Sequence, residues 1–110
     1  MKDKMDVIEK AVRAKFKSLL LERVRLNNLI LFGSRARGDA GPYSDMDVVV
    51  ILDDASCEKD FDIVSDCAWE AGFEYGIVII PLIFTSEEWE NSPERYSLLA
   101  QAVKTEGVPL

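Results

Sequence analysis

Two short polar stretches, GSRARG (residues 33–38) and SDMD (residues 44–47), lie between two hydrophobic runs of the chain. Glycine lets a backbone approach a ligand closely, and a serine adds a hydroxyl and an N–H group. A turn that leads into a helix also points N–H groups outward, where they can bind phosphate. Gly33 and Ser34 are therefore candidate phosphate-binding residues, although a Gly-Ser pair by itself also fits an ordinary strand-to-helix turn.

Asp45 and Asp47 are the candidate metal ligands. If they begin a strand, their spacing of two residues points both side chains to the same face. Two close carboxylates repel each other, and a hard cation stabilises them; Mg²⁺ takes one or two carboxylates together with nucleotide phosphate oxygens and water. The pair predicts a magnesium site beside the phosphates at Gly33 and Ser34, whereas a solvated strand start is the alternative for an isolated Asp-x-Asp.

Three other kinds of site are excluded. A P-loop would need Lys-Ser or Lys-Thr where Asp39-Ala40 follows the glycines. An EF-hand would need a longer series of ligands and a closing glutamate, but the sequence after Asp47 becomes hydrophobic. A common zinc site is excluded because the chain has no histidine and its cysteines, Cys57 and Cys67, are far apart.

The length and composition predict one compact domain over residues 1–110, since the chain has 110 residues of which 48% are hydrophobic. A net charge of −7 argues against a broad nucleic-acid surface, because lysine and arginine dominate phosphate binding. No stretch approaches the ~18 apolar residues of a membrane helix, and the N-terminus is too charged for a signal peptide. We therefore expect a cytoplasmic protein that does not bind membranes.

The hydrophobic pattern predicts the order α-β-β-α-β-α-α, an α/β (α+β) fold with a small mixed sheet flanked by helices. The expected segments are a helix over Asp3–Arg25, strands at Leu29–Phe32 and Val48–Leu52, a helix over Phe61–Ala71, a strand in EYGIVIIPLIF, a short helix capped by Thr85 or Ser86, and a last helix from Pro93 towards Gly107. Pro81 indicates a bulge or an edge position in the third strand, because proline cannot donate to a ladder.

Together the two polar stretches resemble the minimal nucleotidyltransferases of the DNA polymerase beta-like nucleotidyltransferase superfamily. Members of that group typically read Gly-Ser-x-Ala-Arg-Gly and then Ser-Asp-x-Asp. The matching positions here are Gly33, Ser34, Ala36, Arg37, Gly38, Ser44, Asp45 and Asp47. The resemblance implies the nucleotidyltransferase fold and transfer of a nucleoside monophosphate, AMP from ATP in the first instance, to a hydroxyl with the help of Mg²⁺.

The resemblance also implies roles for single residues. Gly33 and Ser34 would hold the β- and γ-phosphates, and Asp45 and Asp47 would be catalytic metal ligands. Arg37 could neutralise phosphate charge, or it could pair with a neighbouring aspartate and fix the turn. These roles make Gly33, Ser34 and Arg37 the expected nucleotide-binding residues.

The chain departs from the family pattern at a third carboxylate, which active members usually carry on the next strand. Here that strand reads GIVIIPLIF without an acidic residue. Glu74 precedes it, and Glu87 and Glu88 follow it, so each is a candidate only if the chain folds back towards the site. The missing acid leaves open the alternative that the chain binds Mg-NTP but transfers slowly or not at all.

Two functions follow from the resemblance. The first is an enzyme that modifies a hydroxyl of a partner, such as a HEPN-domain toxin for which the chain is the antitoxin. The second is a catalytically weak or inactive binding module that masks its partner, favoured by the missing acid. A self-contained antibiotic-modifying enzyme is the weakest alternative, because there is no room for an acceptor domain. We expect Trp69 and Trp89 to serve core or partner contacts, and a homo-oligomer stays open.

Overall fold

The computed structural model describes residues 4–33, 45–53, 58–91, 101–103, 105 and 107–110. The elements are α1 (Lys4–Arg23), β1 (Leu26–Phe32), β2 (Met46–Leu52), α2 (Glu58–Phe73), β3 (Ile79–Thr85), α3 (Ser86–Glu90) and β4 (Val108–Pro109). Residues 101–103 are also helical. Within these residues, every helix is too short or too polar to cross a membrane.

The strands form one mixed sheet, as predicted, and their order in it is β3-β2-β1-β4. Strand β1 pairs antiparallel with β2 and β4, and β2 pairs parallel with β3. The two-residue strand β4 was not predicted. It is held by backbone pairing with Ile30 and Leu31, and Leu110 N–H donates to the carbonyl oxygen of Leu29 at 2.8 Å.

The first face of the sheet is covered by α1 and α2. Val12, Phe16 and Leu20, one helical turn apart on α1, are fully buried against it, which confirms the amphipathic pattern. From α2, Val64, Cys67 and other small apolar side chains complete this core. Helix α2 begins three residues before and ends two residues after the predicted segment Phe61–Ala71.

The second face carries a smaller apolar cluster. Its fully or nearly buried members are Val49, Ile51, Phe84 and Val103, and Trp89 packs against them with its ring 5.3 Å from that of Phe84. Strand β2 is therefore apolar on both faces. Every position of β2 is buried except Asp47, which is half-buried at one end.

Strand β3 is an edge strand, so the expectation for Pro81 is confirmed, and its pairing with β2 is regular without a bulge. The carbonyl of Val78 accepts a hydrogen bond from Met46 N–H at 2.9 Å. Because backbone groups alternate along a strand, Pro81 faces the open edge, where its missing N–H costs no bond within the sheet.

Helix α3 begins with the predicted cap, and Thr85 is the cap residue. Its hydroxyl accepts from Glu88 N–H at 3.0 Å, and Glu88 Oε1 accepts from Thr85 N–H at 3.0 Å. This reciprocal pair is a capping box. The predicted start of the last helix, at Pro93, lies outside the described residues.

Candidate functional site

The candidate site lies where β1 ends and β2 begins. Phe32, the last residue of β1, pairs with Asp47, and Gly33 then turns away with a φ of +81°. A Cβ atom on Gly33 would lie 2.7 Å from Oδ2 of Asp47. The backbone of Gly33 thus packs directly against the Asp47 carboxylate, and only glycine fits this conformation without strain.

The two predicted carboxylates lie close together, on either side of the start of β2. Asp45 is exposed just before the strand, and Asp47 is half-buried within it. Burial raises the pKa of Asp47, and the negative charge of Asp45 raises it further. Among the described side chains, no cation pairs with either carboxylate. Such a pair has the chemistry of a divalent-cation site, since a cation would relieve both effects.

The raised pKa of Asp47 predicts a change in stability. The folded protein binds the Asp47 proton more tightly than the unfolded chain, so stability falls as pH rises from the ordinary aspartate value of 3.8 through the folded pKa. Asp47→Asn removes this cost. We expect the variant to melt at a higher temperature than the wild type at pH 7 without metal or nucleotide, and the difference to shrink towards pH 4. Calorimetric scans at both pH values measure the difference in melting temperature. A lower melting temperature of the variant at pH 7 would contradict destabilisation by the charged Asp47.

The residue of β3 that adjoins the carboxylate site is apolar, Ile80. The parallel register places Ile80 directly beside Asp47, so their side chains share a face of the sheet, and Ile80 is 38% exposed. The isoleucine therefore stands where an acid on β3 would reach the same cation. Sequence reasoning missed this position because the strand bounds did not fix the register.

The three glutamates considered as substitutes all have other places in the fold. Glu74 forms a salt bridge with Lys15 at 3.5 Å, on the face covered by α1 and α2. Glu88 caps α3, and Glu87 lies in the first turn of that helix, at the opposite end of β3 from Ile80. These glutamates were candidates only if the chain folds back, and the described positions give no such approach to Asp47.

The remaining predicted residues, Ser34 and Arg37, lie outside the described residues, and their roles stay predictions. Gly33 immediately precedes them and is in place beside Asp47. Trp89 makes the expected core contact. Trp69 does not lie near the core, because its side chain is 67% exposed.

The glycine turn packs against a strand aspartate on a mixed sheet covered by helices, and this arrangement agrees with the comparison with known families. Residues 8–102 match the family model described as "Nucleotidyltransferase domain". The chain is 37% identical over 90 residues to a protein of Methanocaldococcus jannaschii that is provisionally named a protein adenylyltransferase, covering 81% of this chain and 84% of the relative.

Two solved structures share the fold. A toxin–antitoxin structure with AMP-PNP aligns with a TM-score of 0.63 at 21% identity, covering 87% of this chain and 69% of the other. A tri-AMPylated HEPN toxin of Shewanella oneidensis in complex with its MNT antitoxin aligns with a TM-score of 0.56 at 18% identity, covering 93% and 70%. This chain belongs to the family of nucleotidyltransferase domains.

Proposed function

We propose that the chain binds Mg-ATP and transfers AMP to a hydroxyl group of a partner protein. The observation that best supports this proposal is the position of Asp47. Asp47 is half-buried in the otherwise buried strand β2, and it lies against the backbone of Gly33 and beside Asp45. A charged group at such a position costs stability unless it serves a ligand. The family membership supports the reaction type.

The residues have distinct roles in this proposal. Gly33 allows the triphosphate to approach the end of β1, with Ser34 supplying a hydroxyl and an N–H and Arg37 neutralising charge. Asp45 and Asp47 hold Mg²⁺, which would neutralise charge that develops on the phosphates. The acceptor oxygen bonds to the α-phosphorus while the bond to the β-phosphate oxygen breaks, so pyrophosphate leaves and the hydroxyl proton passes to a base.

The acceptor is a protein in this proposal because a relative is provisionally named for protein adenylylation. The AMPylated HEPN toxin bound by an MNT antitoxin supports a toxin of that kind as the partner and antitoxin action for this chain. The experiment is incubation of the chain with Mg²⁺, ATP radiolabelled at the α-phosphate, and a HEPN-domain protein. Label on a hydroxyl residue of the partner supports the proposal, and no label with a folded, nucleotide-binding chain contradicts it.

A second function is favoured by one observation, the apolar side chain of Ile80 beside Asp47. Without a third carboxylate the site has no described base for the acceptor hydroxyl. The chain could then bind Mg-ATP and inhibit its partner by covering it. In that case Asp45→Asn/Asp47→Asn keeps full inhibition, whereas the enzymatic proposal requires inhibition to be lost.

Ile80→Asp tests whether the missing acid limits transfer. An aspartate there would lie beside Asp47 and could bind the cation or accept the hydroxyl proton, so we expect transfer to rise about tenfold or more. Ile80→Asn is the matched control, because it has the same size and no charge. Rates of label transfer under single-turnover conditions measure the effect. Equal rates in the aspartate and asparagine variants would show that Ile80 does not occupy the position of the third acid.

A further inference from the structure

An apolar groove of about 500 Å³ lies between α2 and the open edge of β3. Its wall includes Ala68, Trp69, Phe73, Ile77, Ile79 and Pro81. The rings of Trp69 and Phe73 stack with centroids 4.5 Å apart, yet the two side chains are 67% and 68% exposed. Large aromatic side chains contribute most when they are buried, and an exposed cluster of them marks a binding surface.

The rim of the groove is acidic. Asp62, Asp66, Trp69 and Phe73 follow one another at helical spacing along the same side of α2, and both aspartates are exposed. On the other flank of α2, Glu70 pairs with Arg23 at 3.2 Å and Glu74 with Lys15. Among the described residues, no cation pairs with Asp62 or Asp66. The groove thus combines apolar walls with carboxylates that a ligand could neutralise.

A second copy of the chain fits this surface poorly. Two grooves facing each other would bring their acidic rims together, in a chain whose net charge is already −7. Pairing along the open edge of β3 is also weakened, because Pro81 faces that edge and has no N–H to donate. A segment with apolar side chains flanked by lysine or arginine would pack against the apolar walls and pair with the acidic rim.

The groove continues towards the carboxylate site. Val78, at one end of the groove, is 61% exposed, and its carbonyl bonds to Met46, which lies between Asp45 and Asp47. Ile80 and Asp47 lie on the opposite face of the sheet from the groove residues Ile79 and Pro81. The end of the groove at Val78 therefore lies at the same end of the sheet as the site, beside the start of β2.

We propose that this groove is the docking surface for the acceptor protein, which inserts a basic, amphipathic segment and thereby brings its hydroxyl near Asp45 and Asp47. The proposal rests on the proposed function. It assigns Trp69 and Phe73 to acceptor binding, outside the nucleotide site. Substitutions in the groove weaken acceptor binding and leave Mg-ATP binding intact.

The test uses two fluorescein-labelled helical peptides of about eighteen residues, both with one leucine face and a central tyrosine. Lysines flank the apolar face in one peptide, and glutamates replace them in the other. Fluorescence anisotropy measures binding to the wild type, to Trp69→Ser/Phe73→Ser and to a matched control, Val7→Ser/Leu21→Ser. The control removes side chains of similar exposure, 64% and 59%, from α1.

We expect the lysine peptide to bind the wild type at least about tenfold more tightly than the glutamate peptide, and the groove variant to lose at least about tenfold in affinity. The control should bind like the wild type. Equal binding of both peptides, or an unchanged affinity of the groove variant with its fold verified by circular dichroism, would overturn the docking surface. A concentration-dependent dimer that the groove substitutions dissociate would assign the groove to a second copy and also overturn it.

Calorimetry with Mg-ATP separates this proposal from the proposed function. The groove variant should bind Mg-ATP as the wild type does. If the wild type binds the lysine peptide through the groove but does not bind Mg-ATP, the nucleotide site fails and the groove stands as a protein-binding surface. If Mg-ATP binds and the peptide does not, the acceptor surface fails and the nucleotide site stands.

Discussion

Conversion of both Asp45 and Asp47 to asparagine is expected to lower AMP transfer by at least about 10³-fold, because charge neutralisation supplies most of the catalysis in phosphoryl transfer. The two carboxylates are close enough for Asp45 to raise the pKa of Asp47. Asparagine keeps their shape and removes the charge that holds Mg²⁺. Transfer from labelled ATP to the partner, followed over time at saturating Mg²⁺, measures the loss.

The matched control is Asp53→Asn/Asp60→Asn, which removes the same charge elsewhere. Asp53 follows the opposite end of β2 and accepts a hydrogen bond from Asn27 at 2.6 Å, and Asp60 lies in the first turn of α2. This control should transfer AMP at close to the wild-type rate. An equal loss in both double variants would attribute the effect to net charge and contradict a metal site at Asp45 and Asp47.

Gly33→Ala is expected to have the second-largest effect, because it acts on both the backbone and the site. The φ of +81° costs an alanine about 1–2 kcal/mol. The added Cβ would also lie 2.7 Å from Asp47 Oδ2, so the carboxylate must move. We expect affinity for Mg-ATP to fall at least about tenfold, together with a lower melting temperature.

Gly76→Ala separates these two contributions. Gly76 has a similar φ of +69°, but a Cβ there would meet no atom within 4 Å. This control should lose stability to a similar extent and keep its affinity for Mg-ATP. If both alanine variants bind Mg-ATP like the wild type, the close approach of Gly33 to Asp47 has no role in nucleotide binding.

The elements that position the site were predicted from sequence because their signals are local. Val12, Phe16 and Leu20 repeat at helical spacing and are buried as a stripe. Strand β2 was predicted at Val48–Leu52 from its hydrophobic run, and it begins two residues earlier because Met46 and Asp47 also pair with neighbouring strands. A cap at Thr85 or Ser86 was predicted, and Thr85 is the cap residue because its hydroxyl and the Glu88 side chain each accept the other's backbone N–H.

The features that sequence reasoning missed depend on contacts between distant segments. Strand β4 has only two residues and forms by backbone pairing with β1. The place of Ile80 beside Asp47 depends on a register between strands more than thirty positions apart. Trp69 is 67% exposed because the sheet stops at its edge strand β3, and no further strand among the described residues covers this side of α2.

The central claim is that Gly33, Asp45 and Asp47 form a site for Mg-ATP, and isothermal calorimetry tests it most directly. ATP is titrated into the wild type with Mg²⁺ and then with EDTA in place of the metal. We predict saturable binding of one ATP per chain with Mg²⁺, at least about tenfold weaker binding in EDTA, and none in Asp45→Asn/Asp47→Asn. Absence of binding to the folded wild type, or equal binding with and without Mg²⁺, would contradict the claim.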